Sequence, residues 1–146
     1  MSDARSERFT RDELGGIHLH AMHWGEVGRP VCVLAHGGGA NGHWWAHLAP
    51  ALATSFQVVA LDFRGHGESD FPERLAEGDF QADLLALLAH LEAPDAILVG
   101  HSMGGEVVLR VAAGALARPR GGVLIDLARG RSDRSRRLLR RALTIR

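Results

Sequence analysis

The sequence holds one cysteine and no lysine, and it has no uncharged apolar stretch long enough to cross a bilayer. Each absence excludes something. With a single cysteine no disulfide can form within the chain, so a small fold stapled by bridges is ruled out and the setting that fits is a reducing cytoplasm. That residue, Cys32, lies in the apolar run VCVLA, where a buried strand thiol is expected rather than a reactive or metal-bound one. A membrane span needs roughly 18 consecutive apolar residues, and no such run exists. The opening stretch, MSDARSERFTRDELGG, is polar and mixed in charge, without the apolar centre of a secretory signal. No membrane partner is therefore expected. All seventeen basic residues are arginine and are matched by seventeen acids, for a formal net charge of zero, so no nucleic-acid partner is expected from global charge. No glycine loop is followed by GK[ST], which excludes a nucleotide P-loop.

What is present is a chain of 146 residues, 46% hydrophobic and 23% charged, the size and composition of one globular domain. The charge balance conceals a split. Residues 129–146 carry eight arginines and one acid, Asp133, whereas residues 1–128 carry nine arginines and sixteen acids. The expected division is a domain over 1–128 followed by an arginine-rich tail of foreign composition over 129–146. The tail reads as a solvated extension. As a short cationic helix it would instead carry Leu138, Leu139, Ala142 and Leu143 and suit a membrane surface or nucleic acid.

Along the body, residues 17–24 (IHLHAMHW) alternate apolar residues with histidine, and GEVGRP supplies turn chemistry before the β-type run VCVLAH (31–36). Together they predict a hairpin entering a buried strand. GGGANG leads into the helix candidate HWWAHLAPALAT, which Pro50 should kink or divide. FQVVALDF (56–63) predicts a second buried strand, and FQADLLALLAHLE (80–92) a helix with Phe80, Leu84, Leu87, Leu88 and Leu91 at helical spacing. AILVG (96–100) predicts a third strand and MGGEVVLRVAAGALA a helix presenting Val107, Val108, Val111 and Leu116 to a sheet. GGVLIDLA (121–128) supplies a fourth strand. Strands alternating with helices of this length imply an α/β fold: a mostly parallel sheet with helices on both faces. In such sheets ligands meet the loops at the carboxyl ends of the strands, here HGGGANG, DFRGHGESD, GHSMGG and DLARG. All the candidate chemistry lies on one edge.

GHSMG, residues 100–104, fits GxSxG between a predicted buried strand and a predicted helix. The pattern describes a very tight turn that holds the serine in a strained conformation at the top of a sheet. Glycines two before and two after Ser102 let strand and helix backbones approach without Cβ clashes. The helix that follows adds a positive dipole end where an oxyanion would develop. An oxyanion hole needs two converging N–H groups. Met103, next after the serine, supplies one, and Gly38 in HGGG, with Gly37 beside it, supplies the other.

The same loop satisfies GxGxxG through Gly37, Gly39 and Gly42, and Asp62 ends the next strand twenty residues on, where a dinucleotide fold would place its ribose carboxylate. Against a dinucleotide site, the helix after the glycines begins with His43, Trp44 and Trp45, which are too bulky for a pyrophosphate-bearing turn. That reading also leaves GHSMG unexplained.

In chain order, HGGGANGHWW, DFRGHGESD and GHSMGG closely resemble the α/β-hydrolase superfamily, in the branch that holds esterases, carbon–carbon bond hydrolases and cofactor-free haloperoxidase-like enzymes. The likeness runs from about residue 17 to 128. It implies a serine hydrolase acting on an ester or similar small acyl substrate, with no cofactor. Ser102 attacks the acyl carbon while the Gly38 and Met103 N–H groups hold the oxyanion. A histidine takes the serine proton, and a carboxylate orients that histidine. The resemblance also implies that Asp62, Arg64, His66 and Ser69 fix a loop beside the site. Gly37, Trp44 and His101 are the expected pocket residues, with His101 pointing away from the serine and His36 fixing the glycine loop. Histidines 18, 20 and 23 lack a further ligand and make no zinc site, so no metal is expected.

The chain departs from the family order of nucleophile, acid, histidine. Its nine histidines, at 18, 20, 23, 36, 43, 47, 66, 90 and 101, all precede Ser102, so the base histidine is absent. Asp126, ending the VLID strand, is an acid candidate in a minority arrangement and otherwise a packed or loop-capping aspartate. The resemblance covers the first half of a family member, so the expectation is a chain cut short before the last strands and the lid, by truncation or frameshift. Its alternative is a catalytically silent fragment that only binds or associates. The open sheet edge after VLID predicts self-association.

Overall fold

The computed structural model describes residues 3–114 and 117–127. Leu116 and the arginine-rich tail lie outside the described residues. Six strands, β1 (Arg5–Phe9), β2 (Leu19–Trp24), β3 (Val31–Ala35), β4 (Gln57–Asp62), β5 (Ile97–His101) and β6 (Gly121–Ile125), form one sheet in the order β1-β2-β4-β3-β5-β6. β4, β3, β5 and β6 run parallel, whereas β1 and β2 are antiparallel additions. Helices α1 (Ala49–Leu52), α2 (Asp79–His90) and α3 (Met103–Ala113) complete the fold, with 3-10 turns at Asp12–Leu14 and Gly42–Trp45. The fold is the α/β arrangement the sequence implies. No helix among the described residues is long and apolar enough to cross a membrane.

Strand periodicity explains the layering. Val33, Ala35, Val59, Leu61 and Leu98 pack on one face against Leu84, Leu87 and Leu88 of α2 and Val107, Val108 and Val111 of α3. Their neighbours Cys32, Leu34, Val58, Ala60 and Val99 pack on the other face with Trp45, Ala49 and Ala53. Both faces are covered, which is why the parallel strands are continuous apolar runs rather than alternating ones. Burial pushes the Cys32 thiol up to about 11, so at neutral pH it is an inert part of this second core.

One expectation needs correction, one strand is new, and Pro50 acts as expected. β2 and β3 are not a hairpin: β4 lies between them, and β2 pairs antiparallel with it from His20↔Asp62 to Trp24↔Val58. Alternation marks a strand but does not name its partner, and GEVGRP is long enough to let the chain step over β4. The polar stretch RSERF is itself a strand, β1, on the outer edge. Its charged residues are what an edge strand carries to deter further pairing. Pro50 divides the helix candidate: the glycine loop feeds a 3-10 turn, and α1 starts separately with Pro50 in its first turn, where the missing N–H costs nothing.

Candidate functional site

β5 ends at His101 and α3 begins at Met103, so Ser102 alone makes the turn. Its backbone is at φ 50°, ψ −114°, a left-handed conformation that a residue with a Cβ rarely adopts. Two hydrogen bonds hold it there: the Ser102 N–H donates to the Ile125 carbonyl at 2.9 Å, and the Ser102 carbonyl accepts from the Glu106 N–H at 3.1 Å. The flanking glycines are compulsory. A Cβ on Gly100 would lie 2.5 Å from the Gly104 carbonyl oxygen, and one on Gly104 would drive into the carbonyl oxygens of Ala35 and His36. The result is a Ser102 side chain exposed to solvent at the carboxyl edge of the sheet, with no bond to the helix end.

The loop after β3 faces this turn. The Ala40 N–H closes on the Gly37 carbonyl at 3.1 Å, and Gly39 takes φ 73°. A Cβ on Gly38 would lie 3.8 Å from Met103 Sδ, so Gly38 and Met103 are neighbours across the cleft. Two imidazoles flank Gly38. His36 Nδ1 lies 2.7 Å from the Gly37 carbonyl while its Nε2 accepts from the Phe63 N–H at 3.2 Å. His66 Nε2 accepts from the Gly39 N–H at 3.3 Å while its Nδ1 lies 3.1 Å from the Arg64 carbonyl. In each ring Nε2 accepts a backbone N–H and Nδ1 faces a carbonyl, the pattern of a tautomer with its proton on Nδ1. Burial pushes the His36 pKa below its ordinary value, and its bond to Gly37 offsets this only in part.

The loop after β4 is held by buried charge. The Asp62 carboxylate accepts from the Gly42 N–H at 2.5 Å, the Glu68 N–H at 2.9 Å and His20 Nδ1 at 2.8 Å, and it is buried. Ser69 Oγ donates to the Asp62 carbonyl at 2.6 Å and accepts from the His20 N–H. Arg64 donates through Nε and Nη2 to Asp83 Oδ1 at 2.8 and 2.7 Å, and its Nη1 reaches Asp79 at 3.0 Å. Burial pushes the Asp83 pKa up, opposed by the bonds from Arg64. Asp62, Arg64, His66 and Ser69 are therefore all engaged in shaping loops. The same bonds count against the dinucleotide reading: Asp62, twenty residues after Gly42, is buried and caps that glycine's own N–H.

Trp44 and Trp45 take different places. Trp45 is fully buried in the second core, whereas Trp44 is 43% exposed at the mouth of the cleft. His101 stacks on Trp44 with ring centroids 4.5 Å apart and planes 23° apart, and its ring lies against Gly37. Asp126, at φ 52° directly after β6, is largely exposed, and its carboxylate lies 4.0 Å from His101 Nε2. The turn thus brings together Ser102, Met103, Gly37, Gly38, Trp44, His101 and Asp126. Among the described residues no hydrogen bond joins Ser102 Oγ to a histidine, and no group of three His, Cys, Asp or Glu is placed to hold a metal. Sequence reasoning passed over Asp83, which anchors Arg64. The available signal was an aspartate set among the apolar positions of α2.

A sequence profile described as "alpha/beta hydrolase fold" matches residues 30–127. The dihydrolipoyllysine-residue acetyltransferase component of the acetoin cleaving system of Pseudomonas putida is 45% identical over 103 residues, covering 68% of this chain and 27% of that protein. Epoxide hydrolase A of Mycobacterium tuberculosis is 40% identical over 100 residues, covering 66% and 31%. The solved 2-hydroxy-6-oxo-6-phenylhexa-2,4-dienoate hydrolase of a Rhodococcus strain superposes with a TM-score of 0.76 at 32% identity, covering 85% of this chain and 46% of that one. The chain thus spans less than a third of the length of these two curated relatives, and under half of the solved one.

Proposed function

From the premise that this chain belongs to the α/β-hydrolase fold family, we propose that it carries the nucleophile and oxyanion hole of a serine hydrolase acting on an ester or similar small acyl substrate. The observation that carries the reading is Ser102, strained at φ 50° and exposed between β5 and α3, with Gly38 across the cleft. Strain of this kind costs about 1–3 kcal/mol and persists where the surrounding structure over-determines it, most often at functional sites. Ser102 Oγ adds to the acyl carbon, and the carbonyl π electrons move onto oxygen. The Gly38 and Met103 N–H groups, aided by the positive end of α3, stabilise that oxyanion. Collapse breaks the bond to the leaving oxygen, which departs as the alcohol after solvent water has carried to it the proton lost by Ser102 Oγ. The acyl serine left behind is hydrolysed by a second water. Gly37, Trp44 and His101 line the acyl side, and no cofactor takes part.

The proton on Ser102 Oγ needs an acceptor, and among the described residues no histidine is hydrogen-bonded to it. Asp126 is the acid on hand at the strand ends, and in this reading it acts on His101 rather than on the serine. The oxyanion hole and binding are the contributions these residues make, and alone they supply roughly 10³–10⁴-fold over water in serine hydrolases. The domain is residues 1–128, and the buried lone Cys32 suits a cytoplasmic setting. A fluorophosphonate probe should label the chain, and Ser102→Ala should abolish labelling. An unlabelled wild-type chain would leave the silent-fragment alternative in possession.

A second reading, self-association, has its own support. Among the described residues β6 is paired only with β5, carries no charge, and exposes Val123 by 50% and Ile125 by 37%. Light scattering over a concentration series should show oligomers that Val123→Lys disperses. A monomer at all concentrations would rule this out.

A further inference from the structure

His101 is the last residue of β5, one position before Ser102. Its period-two neighbours Val99 and Ile97 belong to the second core, but His101 lies beyond that core's upper limit and touches three separate segments. On one side is the glycine loop: Nδ1 lies 2.8 Å from where a Gly37 Cβ would stand, and Cε1 3.3 Å. On another is Trp44, stacked nearly parallel at 4.5 Å. The third is Asp126, 4.0 Å from Nε2. Nδ1 is buried and has no hydrogen-bond partner, so its contact with Gly37 is packing rather than a bond.

The glycine loop leaves β3 at Ala35 and re-enters regular structure at the Gly42–Trp45 turn. Gly37 stands at its start and Trp44 at its end, and the His101 ring fills the space between them. Gly38 follows Gly37 directly, so anything that sets Gly37 sets the direction of the Gly38 N–H. We infer that His101 is a positioning residue. Its ring is a wedge, backed by Trp44 and steadied by Asp126, that fixes how far the Gly37–Gly38 backbone stands from Ser102. The inference rests on the reading of Ser102 and Gly38 given above. It also supplies a reason for glycine at 37, whose backbone is not left-handed: a Cβ there has no room beside the ring.

The test uses the purified full chain and a fluorophosphonate probe, with the limiting rate of covalent capture and the half-saturating probe concentration measured separately. His101→Ala should lower the limiting rate by about tenfold or more, since small misplacements near reacting atoms cost that much, and this loss should exceed any change in half-saturation that comes from its place in the acyl pocket. His101→Phe keeps a flat ring between Gly37 and Trp44 and should restore most of the rate. Gly37→Ala should also be slow, and Gly37→Ala combined with His101→Ala should be faster than Gly37→Ala alone, because the second change vacates the space the new methyl needs. Wild-type capture rates in His101→Ala, or losses that simply add in the double variant, would overturn the wedge. If the wild-type chain takes no probe, the Ser102 reading fails by itself. The wedge is then decided by melting temperatures, where recovery of the Gly37→Ala loss in the double variant supports it and additive losses refute it.

Discussion

Ser102→Gly should make the protein more stable while removing its nucleophile. The serine sits at φ 50°, ψ −114°, and its side chain makes no bond to the following helix that would be lost. A residue held in so sparsely populated a region stores about 1–3 kcal/mol. Glycine releases that strain but adds about 0.4–1 kcal/mol of unfolded-state entropy. The net expectation is about 1 kcal/mol of added stability, roughly a fivefold rise in the folded-to-unfolded ratio. Urea unfolding resolves it: with a slope of about 1–3 kcal/mol per molar, the midpoint should rise by roughly 0.5 M with the slope unchanged. Ser102→Ala is the matched control, because it also removes Oγ but keeps the Cβ that causes the strain, and should stay within about 0.5 kcal/mol of wild type. Should Ser102→Gly prove no more stable than Ser102→Ala, the strain at the elbow is not there, and with it falls the main support for a working nucleophile.

Three further outcomes are expected. Gly104→Ala places a methyl against the Ala35 and His36 carbonyls and should cost about 1–3 kcal/mol or more of stability, seen as an earlier urea midpoint. Arg64→Ala leaves the fully buried Asp83 without its partner and should cost about 3–5 kcal/mol, with Arg64→Met plus Asp83→Asn recovering much of the loss. Because burial lowers the His36 pKa in the folded state, the folded chain resists a proton that the unfolded chain accepts. The stability this supplies is complete above the ordinary histidine value of about 6.5 and drains away as pH falls below it toward the folded pKa. Melting temperatures should therefore decline from pH 7.5 toward 5.5 in wild type and less steeply in His36→Gln, and parallel curves would contradict the assignment.

The parts of the molecule legible in the sequence are those where local chemistry leaves one solution. GHSMG is such a case, because glycine at 100 and at 104 is demanded by backbone contacts within a few residues and across to β3. The continuous apolar runs of β3, β4 and β5 likewise announce strands covered on both faces. Pairing was not legible. IHLHAMHW has the right alternation for a strand, yet nothing in it says that its partner is β4 rather than β3. β1 escaped notice because the charges that suit an edge strand are the same ones that suggest a solvated terminus. Asp62 shows how a true spacing can mislead. Its twenty-residue offset from Gly42 is real, but the carboxylate is engaged by that glycine's own N–H, by Glu68 and by His20. At the site, the neighbours of His101 could not be foreseen, since they come from the two ends of the glycine loop and from the residue after β6.

β3 sits between β4 and β5, so Val33 must find Val59 on one side and Leu98 on the other before the central sheet exists. Closing chain segments of that length is slow, and little is gained until both are closed. The glycine loop hangs from the end of this strand, and the Ser102 turn from the end of its neighbour. Their relative placement is accordingly a property of the whole sheet, with no shorter stretch able to hold it. The amides of Leu34 and Ala35 should exchange only through global unfolding, and the cleft above them should melt in the same transition as the core, with no looser phase in which the serine survives without its loop.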